Sequence, residues 1–348
     1  MQLQQVEGID VERVTEWLCE NVGAKGEVAF SLIAGGRSNL TYRVEDSEGG
    51  VWALRRPPLS HVLPTAHDMS REYRVITALG PTPVPVPRTF GLCTDESVNG
   101  RPFYVMEFVE GHILRDAAAT EKALDTRARR RAGESLAETL AQLHAVDVDA
   151  VGLGDFAKRD GYIERQLRRW WRQFEDSKVE DGSGIDTTPI VRDVHDRLAA
   201  NVPQQVGTAI VHGDYRLDNT VLGDDGSVRA VLDWEICTLG DPLADLGLLM
   251  VYWTEPGDEA SIVGVTPTAV PGFPSRSEVQ ACYRSASGRN IDDLDFYVAF
   301  GYWKLACILQ GVYARYAGGA AAGDRSSVDG FAQSVVHLAE SAKERLTK

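Results

Sequence analysis

Residues 210–219 read Ile210-Val211-His212-Gly213-Asp214-Tyr215-Arg216-Leu217-Asp218-Asn219, and the fold of the whole chain follows from how they are read. An apolar pair runs into His-Gly-Asp, and Asn219 follows Asp214 after four intervening residues. A turn bounded by Gly223 and Gly226 leads into Val228-Arg229-Ala230-Val231-Leu232-Asp233-Trp234-Glu235, a short β-rich run that ends in acid. One hairpin-like unit therefore delivers Asp214, Asn219 and Asp233 together. Phosphoryl transfer needs this set: a carboxylate that accepts or orients the proton of an attacking hydroxyl, and an amide and a second carboxylate that hold Mg²⁺ on nucleotide phosphates. A lone Asp in a turn reads as a solvated acid, whereas three such groups in this order point to a site.

The Asp-x4-Asn spacing with a later acid at a strand end is that of kinase catalytic loops. His-Gly-Asp-x4-Asn followed by Leu-Asp-Trp-Glu resembles the aminoglycoside phosphotransferase and choline kinase superfamily. It is most similar to the branch of kinase-like domains also found fused to acyl-CoA dehydrogenases. The resemblance runs from about residue 28 to residue 316. Gly213 stands where protein kinases carry an Arg, so activation-loop control built on that Arg is not expected. The resemblance implies a bilobal α+β kinase-like fold. A small lobe with an antiparallel sheet would span roughly residues 1–107, a larger helical lobe residues 108–348, and ATP would lie in the cleft between them. It implies Asp214 as the base or as the group that positions the hydroxyl, and Asn219 and Asp233 as ligands of Mg²⁺, a cation suited to hard oxygens and phosphates.

Residues 28–33 alternate like a strand, pass through Ala34-Gly35-Gly36-Arg37-Ser38-Asn39, and return as a strand over 40–44. Gly35 and Gly36 permit close approach of backbone N–H groups to phosphate, and Ser38 and Asn39 can add side-chain donors. A plain hairpin has the same signature. Val51-Trp52-Ala53-Leu54-Arg55 is the next strand, and a cation ends it where the resemblance places a phosphate-binding lysine. Arg55 can serve there through a bidentate fork; a surface cation at Arg55 or Arg56 is the alternative. Glu72, in the helix expected over Met69–Leu79, stands where the kinase-like fold supplies a carboxylate partner for that cation. Residues 57–68 show no pattern beyond a flap that could cover the nucleotide. The proline-rich run 81–87 is an extended connector. Of two strands that follow, the second reads Phe103-Tyr104-Val105-Met106-Glu107-Phe108-Val109-Glu110-Gly111. It resembles the hinge between lobes, with Met106 behind the adenine and Glu107 and Val109 offering backbone groups; an edge strand and turn is the plainer reading.

Elsewhere the patterns are helical. Asp10 caps a helix over 10–22, and one long helix is expected over 121–146, ending in a structural His144. A helix over 161–176 carries Trp170, Trp171 and Phe174 with Arg165, Arg168, Arg169 and Arg172. Its apolar residues belong to a core, and its arginines are either a solvated face or a contact for an anionic acceptor such as a CoA phosphate. Gly240-Asp241-Pro242 reads as a helix cap, and in the family resembled Asp241 and Asp245 buttress the catalytic loop. Glu255 and Asp258 are the carboxylates available to a cationic acceptor. Trp303 and Lys304 stand at the acceptor site, unless Trp303 is core.

A net charge of −15 argues against a nucleic-acid partner and mildly suits a cationic substrate. Five scattered cysteines form no Cys-x-x-Cys pair, which disfavours zinc and fits a reducing cytoplasm. No signal-peptide pattern and no membrane-length apolar run is seen, so no membrane role is expected. The expected substrate is a small molecule with a hydroxyl, either aminoglycoside-like or hydroxyacyl-CoA-like, and the chain a monomer or homodimer. A pseudokinase-type nucleotide-binding or interaction module is the other class of reading, motivated by Arg55 and the sparse glycine loop.

Overall fold

The computed structural model describes residues 6–34, 39–59, 68–178, 185–258, 266–317 and 326–347. The alternating runs of the first third pair as one antiparallel sheet. Strands β1 (Val28–Ala34), β2 (Leu40–Asp46), β3 (Val51–Arg56), β4 (Thr89–Cys93) and β5 (Phe103–Glu107) lie in the order β1-β2-β3-β5-β4. Helix α1 (Val11–Asn21) starts where Asp10 accepts the Arg13 N–H at 3.2 Å. Its Val14 and Leu18 share a core with Phe30, Val44, Leu54 and Val105. Helix α2 (Met69–Leu79), capped by Asp68, places Val75, Ile76 and Leu79 in a second core with Ala53, Tyr104 and Met106. Residues two apart on a strand share a face, so the register Thr41–Arg55–Tyr104 and Arg43–Ala53–Met106 puts these six side chains on one side of the sheet. That side faces the rest of the molecule.

A four-residue helix, α3 (Glu96–Asn99), separates β4 from β5; it is too short for periodicity to reveal. The single helix expected over 121–146 is two. Helix α4 (Ala117–Ala123) stops, and α5 (Thr126–Ala145) restarts where the Asp125 carboxylate accepts the Ala128 N–H at 2.8 Å. A cap signal inside a continuous apolar pattern broke it. Helices α6 (Tyr162–Asp176) and α7 (Thr188–Ala200) lead to β6 (Ala209–Val211). Strands β7 (Thr220–Leu222) and β8 (Val228–Val231) form the expected hairpin, and β9 (Thr238–Gly240) returns to pair with β6.

Helix α8 (Leu243–Tyr252) runs through the middle of the helical part: nine of its ten residues are buried, Asp245 among them. Of the helices that follow, α10 (Leu294–Ala317) packs on it, while α9 (Arg276–Ser287) packs on α5 and α11 (Ser326–Arg345) on α10 and α7. The result is a bilobal α+β kinase-like architecture in which the second core runs from the sheet through α5, α8 and α10. Among the described residues no helix is long and apolar enough to cross a membrane.

Helices α8 and α10 meet at Gly247, where an added Cβ would stand 2.5 Å from the Tyr297 carbonyl oxygen. Gly247→Ala must push the two helices apart, and overpacking of this kind costs about 1–3 kcal/mol. Urea unfolding of the variant should show that loss. Wild-type stability would mean that the contact yields freely.

Candidate active site

The segment between β6 and β7 is held by its own backbone. Gly213 has φ +88°, and the turn there brings consecutive N–H groups round to one buried carboxylate. His212 N–H donates to Asp245 Oδ2 at 2.6 Å and Gly213 N–H to Oδ1 at 2.8 Å. The His212 ring donates from Nε2 to the Leu232 carbonyl (2.8 Å), so Nδ1 is free to accept the Asp214 N–H at 3.2 Å. Those two bonds fix a neutral imidazole in one tautomer. Behind Asp245 stands His144, with Nε2 at 3.4 Å and Nδ1 2.8 Å from the Tyr283 hydroxyl. Burial works to raise the Asp245 pKa, but His144, His212 and the Gly213 amide prevail and hold it below the usual carboxylate range. Asp241 accepts the Leu243 N–H at 3.0 Å and the Tyr297 hydroxyl at 2.7 Å, tying the start of α8 to α10.

Asp214 emerges from this frame partly exposed. Its Oδ2 accepts the Asn219 Nδ2 donor at 3.0 Å, and the same amide donates to the Asp214 carbonyl at 2.8 Å. Arg216 places Nε 3.4 Å from Asp214 and Nη2 2.9 Å from Asp218, with its guanidinium 4.7 Å above the Tyr252 ring. Leu232 N–H bonds to the Asn219 carbonyl at 2.8 Å, which sets Asp233 beside Asn219. Asp233 is the one non-glycine among the described residues with positive φ, +64°. Such a conformation is uncommon for a residue with a Cβ.

The sheet supplies the opposing wall. Arg55 Nε donates to Glu72 Oε2 at 2.9 Å and Nη2 to Asp233 Oδ1 at 2.5 Å, with Glu235 at 4.0 Å. The Tyr104 hydroxyl donates to Glu72 Oε2 at 3.0 Å. One guanidinium thus faces three carboxylates. Burial, then the neighbouring acids, push both Glu72 and Glu235 up to about 7 against the pull of Arg55. Asn39, read from sequence as a phosphate contact, is buried instead: its Nδ2 donates to Glu72 (2.6 Å) and to Glu235 (3.2 Å). Gly35, Gly36 and Ser38 lie outside the described residues, as does most of the flap over 57–68. Tyr104 and Glu235 carried no assigned role in the sequence. The signal for Glu235 was its place at the end of Leu-Asp-Trp-Glu.

Between the walls lies a cleft of about 580 Å³. Ala53, Ile76, Met106 and Val231 give it an apolar end, and Arg55, Asn219 and Asp233 a polar one. Glu107 N–H donates to the Arg88 carbonyl at 2.7 Å and its carboxylate accepts Arg88 N–H at 3.2 Å, so that residue is fixed at the end of β5. Among the described residues the Val109 N–H has no hydrogen-bond partner. A second cavity of about 60 Å³ lies across Asp218, lined by Arg115, Arg216, Tyr252 and Thr268. The acceptor-side readings of Glu255, Asp258 and Lys304 need correction, and the α6 arginines and Trp303 take the plainer alternative given for each. Glu255 and Asp258 are engaged by Arg276 at 3.2 and 2.5 Å. The arginines of α6 line neither cavity: Arg165 binds the Lys158 carbonyl, and Arg168, Arg169 and Arg172 are exposed. Trp303 is core, donating to the Val191 carbonyl at 3.0 Å. Lys304 lies beneath the loop, 2.7 Å from the Gly213 carbonyl oxygen.

Asp245→Asn would set an amide NH₂ against one of two backbone donors, and a buried donor left without a partner costs about 1–3 kcal/mol. The pH dependence has a definite sign. Asp245 and the buried, neutral His144 are both held below their ordinary values. The unfolded chain therefore binds their protons more readily, and the stability they supply is present above those ordinary values and lost as pH falls. Unfolding of Asp245→Asn followed from neutral to acidic pH should lack the carboxylate part of that loss. A profile parallel to wild type would show that the charge is not what holds the loop.

The chain is similar in sequence and fold to known proteins. The chain is 34% identical over 344 residues to the probable acyl-CoA dehydrogenase IBR3 of Arabidopsis thaliana, covering 93% of this chain and 41% of that protein. It therefore spans about two fifths of the length of such relatives. A solved structure from Ralstonia eutropha JMP134, assigned as an aminoglycoside phosphotransferase, superposes with a TM-score of 0.80 at 33% identity, covering 97% of this chain and 98% of that one. Choline kinase from Cryptosporidium parvum shares the fold, with a TM-score of 0.64 at 13% identity over 96% of each chain. The phosphotransferase enzyme family profile matches residues 29–268. With the motif, the fold and this match in agreement, the chain belongs to the phosphotransferase enzyme family.

Proposed function

We propose that the protein transfers the γ-phosphoryl group of ATP, with Mg²⁺, to a hydroxyl of a small molecule. The observation that carries this reading is that Arg55, Asn219 and Asp233 line the polar end of one cleft, with Glu72 bonded to Arg55 and Asp214 bonded to Asn219 just behind that lining. The donor set fits a metal shared with a nucleotide. Among the described residues no three His, Cys, Asp or Glu side chains gather as a resident metal site, but one carboxylate and one amide stand together. Asn219 and Asp233 would hold the cation, which would neutralise charge on the transferring phosphates. Arg55, released from Asp233, would bind the α/β-phosphates while Glu72 keeps it aligned. Met106 backs the adenine, and the Glu107 carbonyl and Val109 N–H read its edge. Asp214 accepts or orients the proton as the hydroxyl oxygen attacks phosphorus and ADP leaves. The five free cysteines suit the cytoplasm.

For the acceptor, the second cavity favours an anionic molecule of the hydroxyacyl-CoA kind over a polycation. Arg115 and Arg216 line it, the acid there is already paired with Arg216, and Glu255 and Asp258 are spent on Arg276. The Arg55–Asp233 bond favours a different reading, a nucleotide-binding module with weak turnover, because it occupies a metal ligand. ADP release screened across hydroxyl-bearing CoA esters and aminoglycosides separates the three; no turnover with any of them sinks the enzyme.

Asp214→Asn should lose about 10²–10⁴-fold in rate, the usual worth of general-base help, while binding ATP as wild type does. Asp233→Asn should lose Mg²⁺-dependent nucleotide affinity together with activity. Paired calorimetry and rates decide this, and an Asp214→Asn enzyme within a few-fold of wild type removes Asp214 as base.

Arg115→Glu should raise KM for a CoA ester about tenfold, since a like charge at a binding rim disfavours its ligand. An aminoglycoside should bind no worse. The reverse pattern would assign a cationic acceptor.

A further inference from the structure

We propose that Lys304 is the positioning residue of the catalytic loop, clamping the peptide that carries Asp214 through the Gly213 carbonyl. This rests on the phosphotransfer reading above. The Gly213–Asp214 peptide unit is held at both ends: its oxygen accepts Lys304 Nζ at 2.7 Å, and its N–H donates to His212 Nδ1 at 3.2 Å. The preceding unit is held by its N–H on Asp245 Oδ1 at 2.8 Å. A carboxylate from α8 and an ammonium from α10 therefore fix adjacent peptide planes on either side of Gly213. That residue needs such a clamp. At φ +88° it sits where glycine is free and other residues are strained, so nothing in its own side chain restrains the plane that follows.

The type of residue matters as well as its reach. Lys304 is buried, its ammonium 5.5 Å from the Trp170 ring centroid. Burial holds its pKa below the ordinary lysine value, and Asp214 and Asp245 offset only part of that pull. A neutral donor could satisfy one carbonyl. An ammonium in that place also balances the two carboxylates that bracket the loop, and the aromatic face beneath it favours a cation. Lys304 touches neither cavity of the cleft, so its influence on the reaction passes through the backbone at Gly213.

The test uses the full chain. Lys304→Met keeps the length and apolar fit and removes donor and charge. It should bind ATP with Mg²⁺ within about threefold of wild type and keep KM for ATP. Its kcat should fall about 10²-fold, the cost of a displacement of about 1 Å in a reacting group. The Asp214 amide should exchange faster with deuterated solvent, independently of any turnover. Lys304→Gln, a shorter neutral donor, should show the same kcat-only defect in milder form. Wild-type kcat and wild-type exchange in Lys304→Met overturn the clamp. If Lys304→Met does not fold, the same two wild-type values in Lys304→Gln overturn it. Should wild-type protein consume no ATP with any acceptor or with water, the phosphotransfer reading fails, and the exchange comparison alone still decides the clamp.

Discussion

The two hydrogen bonds from His212 and Gly213 to Asp245 are the constraint on which the site depends. They join an irregular loop to α8, a helix with nine of its ten residues buried. A charged acceptor in a dry place binds amide donors strongly, and here a single carboxylate receives two from consecutive residues. Asp245 is backed in turn by His144 of α5, which bonds to Tyr283 of α9. Whatever moves α8 moves the loop. This explains why α8 is apolar on every face, with its one acid aimed at the loop.

The opposing wall works by charge imbalance. Glu72, Asp233 and Glu235 crowd one guanidinium, and Asn39 and Tyr104 add donors that hold Glu72 and Glu235 in place. Breaking a buried pair from one side is costly, because the remaining charge is stranded. The cluster therefore keeps β3, α2 and the segment after β8 in register. It also leaves the wall short of positive charge, a condition that a divalent cation and its phosphates would relieve.

The sheet, α2 and the loop carrying Asp214 were legible in the sequence because each is written in local spacing. Period-two runs gave the strands, a helical run between the flap and the proline-rich connector gave α2, and Asp-x4-Asn gave the loop. Where the reading failed, the deciding partner was distant. Asn39 meets Glu235 across 196 residues, and Lys304 meets Gly213 across 91. No window in the sequence contains both. The arginines of α6 left two readings open, and the solvated face is the one the structure shows, since on an amphipathic helix the charged side faces water unless another element covers it. The break between α4 and α5 was visible in Asp125 and was overridden by the apolar repeat around it.

Arg55 shows how one substitution in a common pattern reshapes a wall. A lysine offers a single ammonium, which can approach one carboxylate well or two indifferently. The guanidinium is a rigid fork with donors on separate edges. Here Nε takes Glu72 while Nη2 takes Asp233, and Nη1 lies 3.4 Å from the Thr41 hydroxyl. One side chain thus bridges α2, β2 and the segment after β8. Turning the same fork onto phosphate would cost the Asp233 contact but not the Glu72 contact, since the two use different nitrogens. The Arg at position 55 is then no weakened copy of a lysine. It is a residue able to stay anchored at one edge while its other edge changes partner.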